Sequence, residues 1–106
     1  MIIREKDRKS IIDLAFKTIK TPSELWAFGS RVNGDAHDMS DLDLVIVTNS
    51  SEKLNIDELV TFKESLRESN IPIIVQVMDW SRVPQSFHNN ILENYEVMAR
   101  LDCASK

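Results

Sequence analysis

Glycine is scarce in this 106-residue chain: there are two, Gly29 and Gly34, and both fall in one short stretch. Backbone freedom is therefore concentrated at one place, as in a loop that must approach something closely. The single cysteine, Cys103, excludes an internal disulfide and fits a reducing compartment. No run approaches the roughly 20 apolar residues of a membrane span. The start, Met1-Ile2-Ile3-Arg4-Glu5-Lys6, lacks an apolar core followed by a cleavage site, so no signal peptide is read and a cytoplasmic location is expected. Positive charge is not in excess either. The formal net charge of −4 repels a nucleic-acid polymer, which leaves at most a local basic pocket. Repeats, low-complexity segments and linkers are absent, and the length suits a single domain spanning residues 1–106.

What is present reads as alternating helices and strands. Residues 5–20 predict a helix with Ile12, Ala15, Phe16 and Ile19 on one apolar stripe and Ile11 and Leu14 at its flanks. Thr21-Pro22-Ser23 ends it. Leu25 to Phe28 reads as a first strand and Asp41 to Val47 as a second. Asn55-Ile56-Asp57-Glu58 resembles a capping box opening a helix that turns Ile56, Leu59, Val60, Phe62 and Leu66 inward and leaves Glu58 to solvent. Ile71 to Met78 is the third strand, and after a turn at Ser81 to Pro84 a last helix presents Phe87, Ile91 and Leu92 to the core. Tyr95 to Met98 forms a short extended or helical piece, and residues 99–106 read as a fraying tail. This order gives an α/β (α+β) fold, a small mixed sheet flanked by helices.

The chemistry lies in the glycine-bearing stretch, from Gly29-Ser30-Arg31 to Ser40-Asp41-Leu42-Asp43. On a strand, Asp41 and Asp43 project from one face with Cα atoms about 6.5–7 Å apart, opposite Leu42, Leu44 and Ile46. Their oxygens can converge on a hard divalent cation, and Mg²⁺ suits a site of one or two carboxylates completed by water and phosphate oxygens. Gly29-Ser30 offers backbone N–H groups and a hydroxyl to an anion, and Arg31 can add charge nearby. A phosphate cradle beside metal carboxylates meets the needs of nucleotidyl transfer, where positioning and charge neutralisation do most of the work.

Gly-Ser, ten intervening residues, then Asp-x-Asp opening an apolar strand resembles the signature of the polymerase-beta-like nucleotidyltransferase superfamily, matched by Gly29, Ser30, Asp41 and Asp43. The context Trp26-Ala27-Phe28 before the motif, and Val75-Gln76-Val77-Met78-Asp79-Trp80 later, is similar to the minimal nucleotidyltransferases of that superfamily. The resemblance implies a nucleoside triphosphate, ATP, bound with Mg²⁺ between the Gly-Ser turn (Gly29, Ser30, Arg31) and the metal ligands Asp41 and Asp43. It further implies the antitoxin half of a pair whose other half is a helical HEPN-type protein, with AMP transferred to a tyrosine hydroxyl of that partner, although other members similar to this branch stand alone or modify small molecules. Short length and an apolar C-terminal half leave self-association or heteromer formation open.

One position departs from the pattern. The superfamily carries a third carboxylate on the next core strand, and aligning Asp79-Trp80 puts Gln76 there. Gln76, Met78 and Trp80 share a face, and Asp79 lies on the other, so Asp79 substitutes only if a bulge shifts the register. A glutamine amide is no useful base toward an attacking hydroxyl. Two readings follow: an adenylyltransferase weakened at the catalytic set Asp41, Asp43 and Gln76, or an inactive nucleotide-binding antitoxin module that acts by contact. Other polar residues offer less. His37 reads as a solvated loop residue, His88 has no spaced partner for zinc, and Ser30 lacks a histidine–acid pair for hydrolase chemistry.

Overall fold

The computed structural model describes residues 5–29, 42–48, 54–69, 71 and 74–101. Helix α1 spans Glu5–Thr18, strand β1 Ser23–Phe28 and strand β2 Leu42–Thr48. Helix α2 spans Ile56–Glu68, strand β3 Val75–Asp79, a 3-10 turn Trp80–Arg82, helix α3 Gln85–Glu93 and strand β4 Tyr95–Leu101. The strands form one mixed sheet in the order β3-β2-β1-β4, with β1 antiparallel to both neighbours and β2 parallel to β3. The parallel pair needs a crossover, and α2 supplies it. Among the described residues, no helix is long and apolar enough to cross a membrane.

Strand alternation divides the sheet's side chains between two cores. On one face Leu25, Ala27, Leu42, Leu44, Ile46 and Val77 meet α1 and α2. On the other, Phe28 and Val45 meet Ile91 of α3, with Trp26, Val47, Met78 and Trp80 packed around them. Asp43 and Gln76 belong to this second face by parity, as the sequence predicts.

The buried rows of the helices differ in detail from expectation. In α1 the buried row is Asp7, Ile11 and Ala15, continued by Ile19 beyond the helix end. Phe16 is exposed. The i, i+4 row centred on Ile11 and Ala15 takes the core, and Phe16 lies about 100° around the helix from Ala15. In α2 only Leu59, Phe62 and Leu66 are buried; Ile56 and Val60 face outward, as does Leu92 of α3. Asn55 caps α2 by accepting from the Asp57 N–H at 2.8 Å. Glu58 closes no capping box and is not left to solvent. Its Oε1 accepts from Lys20 N (2.9 Å), Thr21 N (3.1 Å) and Thr21 Oγ1 (3.0 Å), tying α2 to the chain leaving α1.

The largest correction is at the C-terminal end. Residues 95–101 make a seven-residue strand against β1, so Ala99 to Leu101 belong to the sheet and Leu101 is fully buried. The register pairs Leu25 with Ala99 but Trp26 with Val97, leaving Met98 as an extra residue on β4. A bulge of this kind breaks the two-residue period. Met98 and Ala99 consequently both pack on the α1/α2 face.

Candidate active site

The site is built where β1 ends and β2 begins. Phe28, the last residue of β1, pairs with Asp43 on one side and Tyr95 on the other, and Asp43 pairs with Gln76. One row across all four strands therefore reads Gln76, Asp43, Phe28, Tyr95. Phe28 anchors it: buried against Val45 and Ile91, its ring also meets Phe87 edge-on at 5.9 Å.

Directly after Phe28 the chain turns through Gly29 at φ +92°, a conformation L side chains rarely adopt. A Cβ placed on Gly29 would lie 2.8 Å from Asp43 Oδ2. Two independent reasons thus demand glycine here, the backbone angle and the carboxylate. The contact also brings Gly29 and Asp43, fourteen positions apart, to one point. Ser30, Arg31 and Asp41 lie outside the described residues. Among the described residues no three histidine, cysteine, aspartate or glutamate side chains gather as a metal site.

Gln76 is exposed and stands beside Asp43 in the parallel register. Asp79 sits three residues further along β3, opposite Ile46, and is buried. Its Oδ1 accepts from Ser81 N (3.1 Å) and Ser81 Oγ (3.0 Å), and its Oδ2 from Arg82 Nε (2.8 Å). Both oxygens hold the 3-10 turn that ends β3. The β2–β3 pairing runs without a register shift from Leu42↔Val75 to Ile46↔Asp79, so no bulge carries Asp79 onto the face of Asp43.

Trp26, Tyr95, Trp80 and His88 form a continuous group of rings. Trp26 stacks on Tyr95 at 4.4 Å and meets Trp80 edge-on at 5.4 Å. Trp80 stacks on His88 at 3.8 Å, and His88 Nε2 lies 2.7 Å from the Trp80 carbonyl oxygen. A carbonyl only accepts, so Nε2 carries the proton and donates. His88 fixes α3 to the 3-10 turn that follows β3. Tyr95's place in the row with Asp43 is the site feature that sequence reasoning missed, because the register of β4 depends on the bulge at Met98.

A four-stranded mixed sheet with a left-handed glycine turn pressed on a strand-start carboxylate is the frame of a nucleotidyl-transferring domain. The family model described as polymerase beta, nucleotidyltransferase matches residues 9–102, and the chain belongs to that family. It is 33% identical over 94 residues to a Haemophilus influenzae protein named "Probable protein adenylyltransferase MntA", an alignment covering 89% of this chain and 81% of that one. Among solved structures, one described as a toxin–antitoxin with AMP-PNP superposes with a TM-score of 0.70 at 19% identity, covering 86% of this chain and 71% of that one. A candidate nucleotidyltransferase of Sulfolobus solfataricus superposes at 0.53 and 21% identity, covering 87% and 76%. These two likenesses concern the fold.

Proposed function

We propose that the protein transfers AMP from Mg-ATP to a hydroxyl acceptor, a tyrosine of a helical HEPN-type partner, as the antitoxin of a toxin–antitoxin pair. The observation that carries this reading is the Gly29–Asp43 contact, where a Cβ would stand 2.8 Å from Oδ2. It brings the family's glycine turn and carboxylate strand together in this chain. The Haemophilus relative is named a protein adenylyltransferase, and the similar solved structure is a toxin–antitoxin with AMP-PNP. Both support the choice of nucleotide and of a protein partner.

In this reading Gly29 and Ser30 cradle the β- and γ-phosphates, with Arg31 adding charge. Asp41 and Asp43 are the residues that would hold Mg²⁺, a donor set of hard oxygens suited to that ion. Bound there, the ion would neutralise triphosphate charge. Gln76, beside Asp43, occupies the third carboxylate's position; its amide can orient an acceptor hydroxyl by hydrogen bonding but cannot take its proton.

That last point sustains a second reading, an inactive module that binds nucleotide and neutralises its partner by contact. Incubating the protein and the product of the neighbouring gene with α-labelled ATP and Mg²⁺ separates the two. Label on the partner that is lost in Asp41→Ala supports transfer, and no label with either protein rejects it. Gln76→Asp is expected to raise the rate. An unchanged or lower rate would count against Gln76 as the third position.

A further inference from the structure

A groove of about 420 Å³ lies along the outer side of β3, between that strand and α2, and Gln76, at the end of the row that holds Asp43 and Phe28, is part of its lining. Its lining mixes aliphatic side chains, Leu66, Ile71 and Val75 among them, with Gln76 and the cations Lys63 and Arg67. These two cations are one helical turn apart on α2, where like charges repel each other. Neither has an ion-pair or hydrogen-bond partner among the described residues. Their neighbours Glu64 and Glu68 are not part of the lining, so the groove itself presents the two cations.

Among the described residues, the strand beneath has no pairing on its outer side. β3 ends the sheet, with β2 its one neighbour among the described residues. Leu42 N donates to Ile74 O at 2.8 Å, which fixes the alternation of the parallel ladder. Ile74 and Gln76 turn their backbone groups toward β2, so Val75 and Val77 turn theirs to the open edge. An edge of this kind is a template for another strand.

Spacing narrows the occupant. Lys63 and Arg67, four residues apart, are separated by about 6 Å along the helix axis. Alternate residues of an extended chain are about 6.5–7 Å apart on one face. A crossover helix packs along the strands it joins, so the two repeats run side by side. We propose that this groove docks an extended segment of a partner protein, adding it to β3 through Val75 and Val77 and receiving carboxylates at alternate positions on Lys63 and Arg67. Docking here needs neither nucleotide nor turnover.

The test uses the intact protein and a fluorescein-labelled, end-blocked peptide Thr-Val-Glu-Val-Glu-Val-Thr. A composition-matched isomer, Thr-Val-Val-Glu-Glu-Val-Thr, puts its two carboxylates on opposite faces. Anisotropy titration is expected to show the alternating peptide binding more tightly than the isomer. Hydrogen exchange is expected to slow at the Val75 and Val77 amides when it binds. The double variant Lys63→Glu, Arg67→Glu is expected to weaken binding about tenfold or more with its melting temperature retained, and the milder Lys63→Gln, Arg67→Gln to fall between. Equal binding of the two peptides, binding without protection at Val75 and Val77, or no binding at all would each overturn the proposal.

Discussion

Asp43 and Asp79 sit on adjacent parallel strands, three residues apart in register, and the fold employs them differently. Asp79 is buried, with both oxygens engaged by Ser81 and Arg82 in its own turn. Those bonds close β3 and launch the 3-10 segment that carries Trp80 onto Trp26 and His88. Asp43 is half-buried at the mouth of the β1–β2 connection, and a neighbouring residue has given up its side chain to let the carboxylate approach. The donors that enclose Asp79 are its near neighbours in sequence. Asp43, which the proposed function assigns to metal binding, is approached instead by distant backbone, a glycine fourteen residues earlier.

The sharpest way to break this contrast is Asp43→Asn. On the proposed activity, transfer should fall by about 10²–10³-fold, the scale of losing one preorganised electrostatic contact. The melting temperature should stay within about 4 °C, as befits a site outside the cores. Labelling with α-labelled ATP alongside a thermal melt reads both. If the variant unfolds instead, Asp43 is a structural acid like Asp79 and the contrast fails. Gly29→Ala follows. The alanine must adopt φ +92° and displace Oδ2 from 2.8 Å. We expect about 1–2 kcal/mol of lost stability from the backbone and about 10²-fold less transfer from the misplaced carboxylate. Full transfer by this variant would show that the contact does not position Asp43.

Asp79→Ala should show the opposite profile. It removes the cap from Ser81 N and leaves the Arg82 guanidinium without its carboxylate, at a cost of about 2–3 kcal/mol by urea unfolding. Transfer by the folded fraction should be nearly unchanged. A stable Asp79→Ala that has lost transfer would move the third carboxylate from Gln76 to Asp79.

Much of this is legible in the residues, for definable reasons. Asp43 and Gln76 can be assigned to faces of their strands, and Gly29 to their neighbourhood, because strand parity and a motif of fixed spacing are both local. The parallel β2–β3 register then has only to align two apolar runs. The strand β4 is not legible, because its bulge at Met98 replaces alternation with two successive core residues. Nor is the exposed position of Phe16: Ile11 and Phe16 satisfy overlapping apolar stripes, and only the packing of α1 against α2 and the sheet chooses between them. Asp79 can be assigned to the other face of its strand, but its part in the turn depends on Ser81 and Arg82 folding back onto it.

Glu58 gives the smallest and most discriminating test. Like Asp79 it is consumed by the fold, but its donors lie 37 and 38 positions away, on Thr21 and Lys20. Proximity in sequence therefore does not define a structural acid. All three donors converge on Oε1, an atom that a glutamine carbonyl can replace. Glu58→Gln should keep the three bonds and lose their charge assistance, a loss of about 0.5–1 kcal/mol with no effect on transfer. Glu58→Ala should strand two backbone N–H groups and a hydroxyl and lose about 2 kcal/mol. Equal destabilisation by the two variants would mean that Glu58 acts through its charge rather than as an acceptor. It would then have to be separated from Asp79, where both oxygens and their geometry are used.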